Sequence, residues 1–226
     1  DEAELFELCS VEENGYEALA LLSELSGSPK IANELIRPYI ADVPTSGDLD
    51  IITLGPLIAD IMPEESIVSD ESATSSLIVT PHALQAKPHD WLALTGGSIG
   101  QGLPLAIGAS IAKPDRPVIT LHGDGGAMYT VQALWTQARE NLNITNIIFS
   151  NRSYEILKIE LDRVQAVETG ERAASMFSMD NPPIDWVNLA KSMGVQGYKP
   201  KTVKEFKDVF SKSVNESGPS LIEIEI

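Results

Sequence analysis

Val118–His122 and Ile144–Phe149 are short runs dominated by Val, Ile, Leu and Phe, with no regular alternation of polar and apolar side chains. A strand of that kind is buried on both faces, the condition of a parallel sheet covered by helices on either side. Around these two runs, helical spacings alternate with further short strands. Helices are expected from Thr53 or Gly55 through Ile61, at Thr74–Val79, at Leu103–Ala112, from Met128 to Ala138, at Trp186–Met193 and at Val203–Val214. Strands are expected at Ser66–Ser69, Trp91–Leu94, Val195–Tyr198 and Leu221–Ile226. The fold class is therefore α/β: a doubly wound parallel sheet with helices on both faces.

The N-terminal end has a different character. A strand near Ala3–Cys9 and a helix near Tyr16–Leu25 stop at Ser26-Gly27-Ser28-Pro29, and a second helical spacing covers Ile31–Ile40. Val43-Pro44-Thr45-Ser46-Gly47-Asp48 has the composition of a linker. A domain boundary is expected there, with residues 1–47 the end of one domain plus a linker and 48–226 a second domain. The chain has 226 residues, and at roughly 100–200 residues per domain it holds about one and a half. Its opening residue is Asp1 rather than Met, so it reads as a fragment or a processed chain.

Sixteen basic residues against 33 acidic ones give a net charge of −17 at pH 7. Such a surface repels phosphate backbones and anionic lipids, which argues against nucleic-acid and membrane partners. An anionic ligand would need a metal ion or backbone amides to offset the field. One cysteine, Cys9, excludes an internal disulfide framework and a zinc–cysteine cluster. It fits a reducing, cytoplasmic compartment and reads as a small buried apolar residue. The longest apolar run, Leu103–Ala112, is about half a membrane span.

Ligands of open α/β sheets bind outside the carboxyl ends of the strands. Four strand ends here carry chemistry: Asp70-Glu71-Ser72, the glycine loop Gly96–Gly102, Gly123-Asp124-Gly125, and Ser150-Asn151-Arg152-Ser153. Asp124 and Asn151 stand 27 positions apart, with strand–loop–helix–strand between them. On adjacent parallel strands both side chains reach one edge. A carboxylate and an amide oxygen are hard ligands suited to Mg²⁺ or Ca²⁺, and the Ser153 carbonyl offers a third oxygen. A helix starting after Gly126 would aim free N–H groups at the same place, favouring a phosphate. Gly125 and Gly126 would let the backbone approach it closely. Alone, a Gly-Asp-Gly is an ordinary turn; the pairing is what makes the signal specific.

The span Gly123–Asn151 resembles the cofactor motif of thiamine diphosphate-dependent enzymes, and Gly96-Gly97-Ser98-Ile99-Gly100 resembles that family's thiazolium-side loop. The likeness extends over about Asp48–Ile226 and leans toward acetolactate synthase large-subunit-like and benzoylformate decarboxylase-like members. Gly125-Gly126-Ala127-Met128-Tyr129, Ala133-Leu134-Trp135 and Asn151-Arg152-Ser153-Tyr154 carry it. The resemblance implies that Asp124, Asn151 and the Ser153 carbonyl hold Mg²⁺. It implies that Gly126 and Ala127 bind the diphosphate through N–H groups, with Ser72, Ala73 and Thr74 nearby. It places Gly123, Gly125 and Tyr154 at the cofactor, the Gly97 carbonyl on the aminopyrimidine, and Ile99 beneath the bent cofactor. Ile156 and Leu157 would face a 2-oxo acid substrate.

The motif often has two Asn residues where this sequence has Ser150-Asn151, and Arg152 replaces a small residue, free to touch substrate or face solvent. Family members use a glutamate from a separate pyrimidine-binding domain, of the same or another subunit, usually in a homo-oligomer (a dimer or tetramer). By the resemblance, residues 1–47 are the end of the middle domain, and no catalytic residue is assigned within this chain. The chain by itself is expected to be inactive, with Glu71 no substitute because it lies on the diphosphate side. Two other readings stay open. A nicotinamide-binding Rossmann domain has the right order of parts, but the loop is not G-x-G-x-x-G in register and Asn151 gains no role. A non-catalytic relic or interaction subunit of the same fold is the other.

His122, inside a buried strand, reads as a structural, hydrogen-bonded residue, and His82 and His89 as surface residues. Trp91, Trp135 and Trp186 read as core or interface residues. Lys201, Lys204, Lys207 and Lys212 read as the solvated face of an amphipathic helix.

Overall fold

The computed structural model describes residues 6–27, 42–83, 86–164 and 170–226. Its sheet is built from β1 (Ile67–Glu71), β2 (Asp90–Ala93), β3 (Val118–Gly123), β4 (Ile144–Ser150), β5 (Gln196–Tyr198) and β6 (Ser220–Glu225). The strand order is β2-β1-β3-β4-β6-β5, and every neighbouring pair is parallel. β1 and β4 are buried along their whole length, and β3 and β6 at all but the last residue. The edge strands β2 and β5 are partly exposed.

Successive side chains of a strand point to opposite faces, and both faces are covered. Val68, Ile119, Leu121, Ile147, Phe149, Ile222 and Ile224 pack with residues of α2 (Ile51–Ile61), α3 (Ser76–Ala83) and α10 (Val203–Asn215). The alternate positions Ile67, Val118 and Ile144 pack with Ala106 of α4 (Gly102–Ala112). Ile148 and Leu221 pack with Leu103, with Leu134 of α6 (Ala133–Arg139) and with Trp186 and Ala190 of α9 (Trp186–Ser192). Asn146 and Thr120 interrupt this apolar register at no cost in unpaired groups. Asn146 exchanges hydrogen bonds with Gln137, donates to the Ser220 carbonyl and accepts from Thr120.

Local chemistry sets the helix ends. Asp50 and Thr53 form a reciprocal capping box that starts α2 at Ile51, ahead of the expected Thr53 or Gly55. Thr202 and Glu205 do the same for α10, whose Phe206 and Phe210 are fully buried while Lys204 is exposed, the expected solvated face. The single helix expected from Met128 to Ala138 is instead two. One turn, α5 (Asp124–Ala127), is followed by turns and then by α6. Gly125 and Gly126 are poor helix formers, and Thr130 donates its hydroxyl to the Gly100 carbonyl, drawing the intervening segment to the glycine loop. The remaining helices are α7 (Glu155–Arg163) and α8 (Glu171–Ser175).

The chain divides into two compact units, Asp1–Arg37 and Pro38–Ile226. The first contains α1 (Gly15–Leu25), capped by Asn14 and with no buried side chain. The strand expected at Ala3–Cys9 is absent over residues 6–9, which pair with no strand, and Cys9 is half-buried rather than buried. The first residues of that strand, and the helix expected at Ile31–Ile40, lie outside the described residues. In the second unit, Gly47, Asp48 and Leu49 are tied to the start of α10. Leu49 N–H donates to the Lys201 carbonyl, Val203 N–H donates to the Gly47 carbonyl, and Asp48 bridges Thr202. No described helix is long and apolar enough to cross a membrane.

Candidate functional site

The strand order reverses between β1 and β3: from β1 the chain passes outward to β2, then returns to β3 and continues the other way. That switch point is where a crevice opens at the carboxyl edge of such sheets. A cleft lies there, lined by the ends of β1, β3 and β4, the glycine loop and the first turn of α7.

Asp124 directly follows β3 and opens α5, and is 3% exposed. Its Oδ1 accepts the Gly125 N–H (2.9 Å) and its Oδ2 the Arg152 N–H (2.7 Å). A carboxylate has about four acceptor sites, so these bonds leave Asp124 acceptor capacity, and the residue lines the cleft. Burial holds its carboxyl above the ordinary value, against the pull of those two backbone donors. Asn151 lines the same cleft beyond β4, with its Oδ1 accepting the Ser153 N–H at 2.9 Å. Arg152, between them, takes φ +54°, the turn that delivers its N–H to Asp124. Its guanidinium pairs with Asp180 and Glu225 and does not line the cleft.

The helix turn expected to face a phosphate begins at Asp124, not after Gly126, so the metal-ligand candidate is itself the first helical residue. The amides of Gly126 and Ala127 belong to that first turn and have no intrahelical acceptor. Gly126 lines the cleft, and Ala127 is fully buried off its lining. The Tyr154 ring lies against Gly125: a Cβ there would meet Tyr154 Cδ1 at 2.7 Å. Opposite, Asp70 holds Ser72 by its N–H (2.9 Å) and hydroxyl (2.6 Å), and Ser72, Ala73 and Thr74 form that wall.

Ile99 is 48% exposed and lines the cleft. Gly97, φ +69°, lies at an exposed turn off the lining, where its carbonyl accepts the Ile99 N–H. Gly123, Ser153, Ile156 and Leu157 complete the residues singled out from the sequence that meet here. Ser75, Leu94, Tyr129, Phe149 and Glu155 also line the cleft and were not singled out as site residues. Tyr129 stands in the Gly125–Tyr129 run that carries the family resemblance, and Phe149 lies two positions before Asn151 near the end of β4.

The donor set fits a divalent ion with a diphosphate. Among the described residues no group of three or more His, Cys, Asp or Glu converges. A cation held here would take one carboxylate, neutral oxygens and oxygens from outside the protein, the pattern of Mg²⁺ bound with a phosphate ligand.

The histidines differ in part from expectation. His122 is fully buried, but neither ring nitrogen has a hydrogen-bond partner, and burial pushes its imidazole down to about 3. Its Nε2 lies 3.8 Å from Glu71 Oε2, beyond hydrogen-bond reach. His82 is half-buried against Gly55, not at the surface, while the half-buried His89 leans edge-on against Trp91. Trp186 is core, and Trp135 is 54% exposed beneath the Arg139 guanidinium.

Residues 73–224 match the family model described as thiamine pyrophosphate enzyme, C-terminal TPP binding domain. The chain is 43% identical over 180 residues to IlvX of Mycobacterium tuberculosis, provisionally named an acetolactate synthase large subunit, covering 79% of this chain and 35% of that protein. It is 26% identical over 205 residues to a benzoylformate decarboxylase of Pseudomonas aeruginosa, covering 91% of this chain and 38% of that one. Among solved structures, the thiamine diphosphate-dependent 4-hydroxybenzoylformate decarboxylase of Rhodococcus jostii RHA1 superposes with a TM-score of 0.74 at 28% identity. That superposition covers 92% of this chain and 38% of the other. The chain thus spans little more than a third of the length of these relatives.

Proposed function

Because the chain belongs to the thiamine pyrophosphate enzymes, matching their C-terminal TPP-binding domain, we propose that it is the cofactor-binding part of a thiamine diphosphate- and Mg²⁺-dependent enzyme of 2-oxo acids. The reaction proposed is acetolactate synthase-like: pyruvate is decarboxylated and the remaining two-carbon unit is joined to a second 2-oxo acid. The likeness to IlvX supports this choice. The observation that carries the cofactor reading is Asp124, a buried carboxylate with acceptor capacity left for the cleft, beside Asn151 and Gly126.

Thiamine diphosphate, when bound, supplies a carbon nucleophile and a sink for the electrons left by departing CO₂. The chain's own residues bind and orient. Asp124, Asn151 and the Ser153 carbonyl would hold Mg²⁺. Gly123, Gly125, Gly126, Ala127, Ser72, Ala73 and Thr74 would surround the diphosphate. Ile99 would support the cofactor from below, the Gly97 carbonyl would accept from the aminopyrimidine, and Tyr154 would wall the diphosphate end. Ile156 and Leu157 would exclude water on the substrate side.

The cofactor domain is taken as 48–226, in a cytoplasmic homo-oligomer whose pyrimidine-binding domain supplies the catalytic glutamate. Residues 1–226 by themselves would then release no CO₂ from pyruvate or benzoylformate. A decarboxylase of benzoylformate type is the second reading, favoured by the apolar lining from Leu94, Phe149, Ile156 and Leu157. Titrating the chain with thiamine diphosphate, with and without Mg²⁺, and separately with NAD⁺, tests the cofactor reading. Mg²⁺-dependent binding that disappears in Asp124→Ala is the expected outcome; binding of NAD⁺ instead would refute it.

A further inference from the structure

Glu71 ends β1 and is 4% exposed. Its Oε1 accepts the Gly100 N–H and its Oε2 the Gly102 N–H, at 2.5 and 2.6 Å. A Cβ on Gly102 would lie 3.0 Å from Glu71 Cβ, and one on Gly126 would lie 3.1 Å from Oε1. One buried side chain therefore touches the glycine loop, the start of α4 and the turn that carries Gly126. Among the described residues no Lys or Arg pairs with it, and His122 stands 3.8 Å behind it. The carboxylate is held by two charge-assisted bonds from backbone amides, and those amides are held by it. The loop needs such an anchor, since Gly97 and Gly100 both take positive φ, at +69° and +96°.

We infer that Glu71 is a positioning residue for the cofactor: it fixes the Gly100–Gly102 end of the glycine loop, and with it the adjoining Ile99, at the cleft that Asp124 and Gly126 also line. The inference rests on the thiamine diphosphate reading of the cleft. It concerns the placement of that loop end, not the diphosphate contacts themselves. Glu71→Gln keeps the shape but turns one acceptor into an NH₂ facing an N–H donor, so the loop is released on one side.

The test is a pair of titrations in Mg²⁺, with thiamine diphosphate and with inorganic pyrophosphate, which reports the diphosphate contacts alone. Glu71→Gln is expected to weaken thiamine diphosphate by about tenfold or more, the size of one bond to a charged group, and to leave pyrophosphate unchanged. Equal weakening of both ligands, or of neither, overturns the role. A second measurement needs no variant. In the ligand-free wild-type chain, the Gly100 and Gly102 amides should exchange as slowly as those of β3, and exchange at a free-loop rate overturns the anchor. Failure of the wild-type chain to bind either ligand would refute the cofactor reading instead, and the exchange result separates that outcome from a failure of the anchor.

Discussion

Gly102→Ala tests how tightly the wall behind the cleft is packed. The added Cβ would lie 2.3 Å from His122 Nε2, 2.8 Å from His122 Cε1 and 3.0 Å from Glu71 Cβ. His122 is fully buried and Glu71 is held by two loop amides, so neither side chain can swing into water. Overpacking of this kind costs about 1–3 kcal/mol. The lost freedom of the unfolded chain returns roughly 0.4–1 kcal/mol, leaving a net loss of about 1–2 kcal/mol. The same helix holds the control: a Cβ on the exposed Gly108 would meet nothing within 4 Å. Gly108→Ala should gain about 0.8–1 kcal/mol from helix propensity. Thermal unfolding followed by circular dichroism and tryptophan fluorescence reads both, since the buried Trp186 packs in one cluster with Leu103 of α4. At about 2–4 °C per kcal/mol for a chain of this size, Gly102→Ala should melt roughly 2–8 °C lower and Gly108→Ala about 2–4 °C higher. A Gly102→Ala protein as stable as wild type, beside a stabilised Gly108→Ala, would mean the interior is loose and would refute the packing argument.

His122 titrates near 6.5 when unfolded and at about 3 when folded, so the folded state binds fewer protons between these values. Stability present above pH 6.5 is lost as pH falls toward 3, by about 2 kcal/mol at pH 5; urea midpoints should show this slope, flattened in His122→Gln, and an equal slope in both would refute it. The Asp124 carboxyl is raised by burial, so a proton competes there with Mg²⁺. Mg²⁺-dependent cofactor affinity should weaken as pH falls and begin to do so above the ordinary carboxylate range, and a titration that stays flat down to that range would argue that Asp124 is not a ligand. Arg152→Ala removes exposed ion pairs with Asp180 and Glu225 but keeps the backbone N–H on Asp124. Cofactor binding should be unchanged, and its loss would put the guanidinium in the site.

Residue types and local spacing made the sheet legible. The parallel class followed from β3 and β4, whose side chains serve both faces, and their loops held Asp124 and Asn151 in one cleft as their separation implied. What sequence could not give was the route of the backbone between elements. The division of the expected Met128–Ala138 helix depends on the Thr130 hydroxyl reaching Gly100, thirty residues away. The contribution of Leu94 depends on β2 lying beside β1 at the sheet edge, a pairing set by topology. Phe6–Cys9 had the composition of a strand but gained no strand pairing. His122 was legible as buried and not as unpartnered, because its nearest carboxylate is already committed to Gly100 and Gly102.

The acid content of the chain and the proposed anion are reconciled by where the backbone donors stand. Of the carboxylates at the strand ends, Asp70 is turned onto Ser72, Glu71 onto the glycine loop and Asp124 partly onto Gly125 and Arg152. Each is thereby partly neutralised by N–H or O–H donors before any ligand arrives. Asp124 lines the open cleft, so under the proposed reading it is where a cation would be held. The field of other carboxylates still reaches the cleft, since the charge of the buried Glu223 adds to burial in raising the Asp124 carboxyl. Under the proposed reading, the donors at β1, β3 and the glycine loop, together with a bound cation, would have to offset that field for a diphosphate to be accepted.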